Sequence, residues 1–384
     1  MNVLFVIDGL GTGGAERSLS EMLPHLERRG IRSVVACLHR RTEGVQDQII
    51  ASGFDVRFLR GHRAGRIKEL RGLIRSVRPS LIHAAIFEAT ITARLAAVGT
   101  RIPVITSLVG TPYVPARLLD PNVSAWKLGI VHAVDGWTSR HLTTAFHAVS
   151  RTVKDTAVRD LRLPPSRVTV VPRGRDPERL GRYSIERRIA ARQALQLEGE
   201  GPVFATVGRQ EFQKGQWHLL EAMALLRTEA PDARLVLAGR RGNVSPRLDE
   251  VMRRTGLDGR VRFLGHRDDV PEVLAAADVF VCPSLSEGLP GSIIEAMALG
   301  LPIVASDLPA VREVVEEGAN ALLVPAGSPR HMADAMRELL DDPARMASFG
   351  ARGREIFEER FTIDRSVEQM VGLYERVAVE GRCG

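Results

Sequence analysis

The chain has 384 residues, two to three times the usual length of a domain, which excludes a single small module. Hydrophobic residues at 44% and charged residues at 26% exclude a mainly disordered chain, and aromatics at only 5% argue against a base-stacking nucleic-acid sheet. The net charge of +7 is uneven, with +12 over residues 1–180 and −5 over the rest.

The amino terminus meets Asp8 after a short apolar run without a basic leader, so residues 3–8 read as a buried strand rather than a signal peptide. Further short β-branched runs predict strands at 33–38, 55–59, 80–83, 104–107, 145–149 and 168–171, with helical stretches between nearly every pair. A second series follows at 203–207, 234–238, 261–264, 279–282, 303–305 and 321–324, again alternating with helices. This alternation is the pattern of parallel sheets covered by helices on both faces. The boundary falls at 172–177, where Pro172 and Gly174 end a strand and an arginine-rich helix begins, giving domains 1–176 and 177–362. No run approaches the roughly 20 apolar residues that span a bilayer. Cys37, Cys282 and Cys383 are odd in number and have no paired spacing, so a reducing, cytoplasmic setting fits better than a disulfide framework or zinc knuckle.

Residues 57–78 concentrate Arg57, Arg60, Arg63, Arg66, Lys68, Arg71, Arg75 and Arg78 against Glu69 alone. Ile67, Leu70, Leu73, Ile74 and Val77 recur among them at helical spacing. Two readings stand: a core-packed helix with a solvated basic face, slightly favoured, or a surface attracted to anionic lipid at the inner face of the membrane. Nucleic acid is not expected as a partner, because no recognised motif accompanies the charge.

Doubly wound sheets bind ligands beyond the carboxyl ends of their strands, so the loops after 8, 207, 282 and 305 are where chemistry is expected. The loop Gly9 to Glu16 holds Gly13 and Gly14 at the start of a helix, where backbone N–H groups can approach an anion or sugar; a tight structural turn is the alternative. The loop after 207 carries Arg209 and Lys214, a fork and a point charge that can clamp a diphosphate; two solvated surface charges are the alternative. The loop after 282 runs through Glu287, Gly288, Leu289, Pro290 and Gly291 into a helix bearing Glu295. Both glutamates on one helix would stand roughly 12 Å apart, too far for a simple acid and base pair. No convincing metal-ligand cluster is found: Asp268-Asp269 before Val270-Pro271 and Asp341-Asp342 before Pro343 read as helix caps.

Glu287-Gly288-Leu289-Pro290 through Glu295-Ala296-Met297-Ala298-Leu299-Gly300-Leu301-Pro302 is similar to the E-x7-E signature of family-4 retaining glycosyltransferases of the GT-B fold. The resemblance extends over nearly the whole chain. It implies an α/β architecture of two Rossmann-like doubly wound domains facing each other across a cleft, with a terminal helix, 363–384, packing back on the first. It further implies transfer from a nucleotide diphosphate sugar, a donor substrate rather than a cofactor, to a glycan, lipid-linked or small-molecule acceptor. Arg209 and Lys214 would bind the diphosphate without a metal, Glu295 the ribose hydroxyls and Glu287 the donor sugar. Gly288, Leu289, Pro290 and Gly291 would hold sugar or phosphate through their backbone, and Gly13 and Gly14 would approach donor and acceptor. The chain departs from the pattern in keeping only His83 of a His-x-His pair; His83 either lines the cleft or is a hydrogen-bonded structural histidine. Arg173 also stands where asparagine is frequent. A nucleotide-sugar epimerase or phosphorylase of the same architecture, or a non-catalytic sugar-binding relative, are the competing readings.

Overall fold

Every predicted strand forms, and all pair in parallel, as short apolar runs separated by helices require. The computed structural model describes residues 1–197, 199 and 201–383, excepting the side chains of 115, 116 and 380–383. The chain forms two units, Met1–Arg175 with Ile363–Gly384, and Asp176–Thr362.

The first unit runs β1 (Asn2–Ile7), α1 (Gly14–Arg28), β2 (Arg32–Cys37), α2 (Gln46–Ala51), β3 (Asp55–Phe58), α3 (Arg63–Val77) and β4 (Leu81–Ala85). It continues through α4 (Phe87–Ala97), β5 (Val104–Leu108), α5 (Ala125–Leu142), β6 (Ala145–Ala148), α6 (Arg151–Leu161) and β7 (Val168–Val170). The seven strands lie in the order β3-β2-β1-β4-β5-β6-β7, so the direction of winding reverses between β1 and β4. Leu70 and Ile74 of α3 and Ala89, Ala93 and Ala96 of α4 cover one face. The basic segment therefore does pack its apolar side, and several of its cations serve the fold. Arg57 bonds Asp55 at 3.0 Å, Arg66 bonds Glu88 at 2.9 Å, and Arg71 reaches the carbonyls of Ala96 and Val98.

The second unit runs α7 (Pro177–Leu180), α8 (Ile185–Ala194), β8 (Val203–Val207), α9 (Gln216–Leu225), β9 (Arg234–Ala238), α10 (Ser245–Thr255) and β10 (Val261–Gly265). After these come α11 (Val270–Ala275), β11 (Val279–Cys282), α12 (Gly291–Ala298), β12 (Ile303–Ser306), α13 (Pro309–Arg312), β13 (Ala321–Val324), α14 (Pro329–Leu340) and α15 (Pro343–Arg360). Its six strands are ordered β10-β9-β8-β11-β12-β13, with the same reversal between β8 and β11. Asp342 caps α15 as expected, accepting from the Arg345 N–H at 2.9 Å. Asp269 does not cap α11; its carboxylate is held instead by Arg267, and Asp268 lies 3.2 Å from His266.

The last helix, α16 (Ile363–Cys383), belongs to the first unit. Gly384, the end of the predicted helix, lies outside the described residues. Ile363, Val367, Met370, Tyr374 and Val377 repeat at intervals of three or four and pack with Leu19, Leu23 and Leu26 of α1. Each such burial contributes roughly 1.5–3 kcal/mol, an upper figure because the unfolded chain already hides some surface.

Candidate functional site

In the second unit the winding reversal places the ends of β8 and β11 side by side, and their loops are laced together by main-chain and amide bonds. Gln216 is buried at the start of α9 and donates from Nε2 to the Gly208 carbonyl at 2.9 Å. The Gln210 N–H bonds the Arg240 carbonyl at 3.1 Å, fixing the first loop against the one after β9. A short 3₁₀ turn, Phe212–Lys214, then brings Lys214 back toward the sheet. Gly215 follows with φ of 55°, and a Cβ there would run into the Pro283 carbonyl. The Leu285 N–H closes the contact on the Gln213 carbonyl at 2.8 Å.

This lacing puts Lys214 Nζ 2.6 Å from Glu287 Oε1, and Ser284 Oγ donates to the same oxygen at 2.7 Å. The Glu287 side chain is only 8% exposed, so the pair is an anchored feature of the site rather than a surface contact. Arg209 is more open and stands 3.8 Å from Glu211. Glu295 is 2% exposed inside α12, which removes the reading of a helix-surface charge. Leu289 and Pro290 are buried, Gly288 is half-buried, and Gly291 opens α12 after Pro290 with no side-chain cap. First-turn N–H groups of a helix lack intrahelical acceptors and favour negative charge. Around this point the loops carry two cations, a carboxylate with one oxygen committed, and a helix start, a set suited to an anion bearing hydroxyls.

Ser284 and Gln216 are positioning residues absent from the sequence reading. Ser284 stands three residues before Glu287, a spacing that alone carries little; Gln216 announces itself by no motif. Cys282 lies 3.5 Å from Ser284, but burial pushes its thiol up to about 11, so it remains protonated near neutrality.

Gly13 and Gly14 lie in the first unit. Gly13 caps α1 in extended conformation, and a Cβ there would meet the Glu16 carboxylate; a Cβ on Gly14 would stand 2.6 Å from Arg173 Nη1. Neighbouring Asp8 has its carboxyl raised by burial, although the Ala89 N–H donates to it at 2.6 Å.

His83 is buried in mid-strand, since β4 continues to Ala85. It helps line a recess with Ser107, His147 and Arg173. Hydrogen bonds link Tyr374 Oη to His83 Nδ1 at 2.6 Å, His83 Nε2 to Ser107 Oγ at 2.7 Å and Ser107 Oγ to His147 Nδ1 at 2.8 Å. The chain ends with His147 Nε2 on the Val171 carbonyl at 2.9 Å. A carbonyl only accepts, so His147 donates from Nε2 and accepts from Ser107; Ser107 in turn accepts from His83, and Tyr374 donates to His83. This assignment is the one for two neutral imidazoles, the form that burial favours, and α16 is tied to the sheet through them.

Burial, with His147 nearby, lowers His83 to about 3, and burial lowers His147 to about 4. Unfolded histidines titrate near 6.5, so below that pH the unfolded chain binds more protons and folding stability falls as pH drops toward 4. Each ring adds up to about 1.4 kcal/mol per pH unit to that slope. Urea unfolding at successive pH values is expected to show a shallower slope for His147→Gln than for the unsubstituted protein; equal slopes would contradict the assignment.

Among the described residues no three His, Cys, Asp or Glu side chains gather as metal ligands. Residues 12–179 match the family model described as Glycosyltransferase Family 4, and residues 201–342 match that of Glycosyl transferases group 1. The 2-deoxystreptamine glucosyltransferase of Streptomyces kanamyceticus is 30% identical over 72% of this chain and 73% of that protein. The alpha-maltose-1-phosphate synthase of Mycolicibacterium smegmatis is 33% identical over 71% of this chain and 74% of its own. Among solved structures, Anabaena HepE in complex with UDP and glucose superposes with a TM-score of 0.86, covering 98% of this chain and 100% of that one at 22% identity.

Proposed function

Because the chain belongs to glycosyltransferase family 4, GT-B enzymes that draw sugar from nucleotide-linked donors, we propose that its second unit grips the donor diphosphate through Arg209, Lys214 and the amino terminus of α12. The observation that carries this reading is the Lys214–Glu287 pair at 2.6 Å, held beside the start of α12 by loops that leave it little freedom. Lys214 and Ser284 both bond Oε1 of Glu287, so Oε2 is the atom that accepts from a donor-sugar hydroxyl. Glu295 accepts from the ribose hydroxyls, and the backbone of Gly288, Leu289, Pro290 and Gly291 seats sugar and phosphate. Gly13 and Gly14 present N–H groups to donor and acceptor.

In the reaction the bond from the anomeric carbon to the diphosphate oxygen breaks, and negative charge gathers on the leaving phosphate. Arg209, Lys214 and the α12 N–H groups stabilise that charge, taking the part a divalent ion has elsewhere. The acceptor hydroxyl bonds the anomeric carbon on the face the diphosphate leaves, its proton passing to the leaving phosphate oxygen. Configuration is retained. A nucleoside diphosphate hexose is the donor class favoured by a structural relative solved with UDP-glucose. The acceptor is a glycan, lipid-linked or small-molecule hydroxyl, and the enzyme works in the cytoplasm, where the buried free thiols Cys37 and Cys282 suit a reducing medium.

Incubation with nucleotide sugars and a mixture of acceptors, in excess EDTA, tests this reading. The expected product keeps the donor's anomeric configuration by proton NMR, with free nucleoside diphosphate formed in equal amount. An inverted product, or turnover abolished by EDTA and restored by magnesium, contradicts it. Isomerised donor would assign an epimerase, and free sugar 1-phosphate a phosphorylase.

A further inference from the structure

Helix α5 is amphipathic the wrong way round for a helix that serves only its own fold. Its inward side is polar: Asp135 and Thr138 bond the buried Arg94 of α4 at 2.7 and 2.9 Å, and Ser139 bonds Asp135 at 3.1 Å. Its outward side is apolar. Trp126 is 67% exposed, Ile130 56%, Val134 43% and Trp137 54%, and their spacing of three or four residues sets them on one stripe. Leu119, just before the helix, is 72% exposed. Ordinary folding would have turned these groups inward, and a contiguous exposed apolar surface marks an interaction site.

The charges around the stripe specify its partner. Exposed Lys127 and Arg140 flank it, while Asp135, the sole carboxylate in residues 121–142, is buried against Arg94. Helices α3, α4, α5 and α6 lie side by side on one face of the sheet. Arg71 reaches across to the Ala96 and Val98 carbonyls at the end of α4, so Lys68 and Arg75, on the same flank of α3, also face toward α5, with Arg78 at the helix end beyond them. The side chains of all three are exposed and make no hydrogen bond or ion pair among the described residues. Two interhelical spacings, about 20 Å, separate this basic row from the apolar stripe. Tryptophans at an apolar face with cations beside them suit the boundary between lipid headgroups and acyl chains, where rings insert and lysines and arginines meet anionic headgroups. No described helix is long and apolar enough to cross a membrane.

We propose that α5, with the basic flank of α3, is a docking surface for an anionic lipid bilayer, the Trp126–Trp137 stripe entering the interface and Lys68, Arg75 and Arg78 binding headgroups. The site lies in the first unit and is independent of the donor site, so its test needs no sugar transfer.

The test uses the full chain with vesicles of phosphatidylcholine alone or mixed with phosphatidylglycerol, each also with brominated acyl chains. Trp217 is 1% exposed in the second core and supplies the unquenched reference. Anionic vesicles are expected to shift the fluorescence to the blue, with brominated lipid quenching the Trp126 and Trp137 emission; neutral vesicles are expected to do neither. Trp126→Ser with Trp137→Ser is expected to weaken vesicle binding at least about tenfold, and each of Lys68→Gln, Arg75→Gln and Arg78→Gln by roughly fivefold at low salt. Unchanged circular dichroism and nucleotide affinity check that the variants fold. Absence of binding to anionic vesicles, or binding that survives the tryptophan substitutions, overturns the proposal. So does a dimer, seen by light scattering, that those substitutions dissociate, since the stripe would then belong to a second copy.

Discussion

Lys214→Met is expected to lower kcat about 10²–10³-fold while the chain still folds, the loss that follows when one preorganised positive donor to a leaving group is removed. The substitution has a second effect, because Glu287 then stays largely buried with Ser284 as its remaining donor. Leaving a carboxylate so placed costs about 1–3 kcal/mol of stability. The two consequences separate in the double variant Lys214→Met/Glu287→Gln, where the uncompensated charge is gone: the urea midpoint is expected to recover and kcat is not. Recovery of both would mean that Lys214 serves only to neutralise Glu287, and recovery of neither would mean that the pair holds the loop by packing. Steady-state kinetics with saturating donor, alongside urea titrations, reads the outcome.

Gly239→Ala is expected to be the most damaging single methyl group in the second unit, at about 3–5 kcal/mol. The residue sits at φ of 155°, and its Cβ would occupy the space of the Gly208 carbonyl, the group to which Gln216 also donates. Backbone cannot yield there without moving Arg209 and the turn that carries Lys214, so donor affinity should fall with the urea midpoint. Gly72→Ala provides the contrast, since that glycine lies in α3 with nothing within 4 Å of an added Cβ. It should gain about 0.5–1 kcal/mol from helix propensity. Equal effects of the two alanines would show that the close approach of the β8 and β9 loops is not what holds the site.

The strands were legible because parallel sheets bury both faces, and runs such as Val203 to Val207 and Val279 to Cys282 need no partner sequence to stand out. The strand ends then pointed to the loops holding Arg209, Lys214 and Glu287, since ligand sites in such sheets follow the topology. Contacts made across the sheet were not legible. Nothing near His83 in sequence foretells Tyr374, 291 residues away, and the direction of the chain between them depends on the Val171 carbonyl, a group every residue carries. Asp269 shows the limit of local signals, for it precedes Val-Pro as a cap would, yet Arg267 binds the carboxylate more strongly than a single N–H can. The α5 stripe was hidden for a different reason: helical periodicity reveals a face but not which way it turns, and only the buried Arg94 shows that the polar side is inside.

Titration calorimetry of a nucleoside diphosphate, with chelator present, against the unsubstituted protein, Arg209→Ala and Glu295→Ala tests most directly whether fixed cations and peptide groups of the second unit hold the donor. Binding by the unsubstituted protein, weakened at least about tenfold by each substitution and much weaker for the corresponding monophosphate, is the predicted result. Equal affinity in all three proteins, or binding that appears only when a divalent cation is supplied, would contradict it.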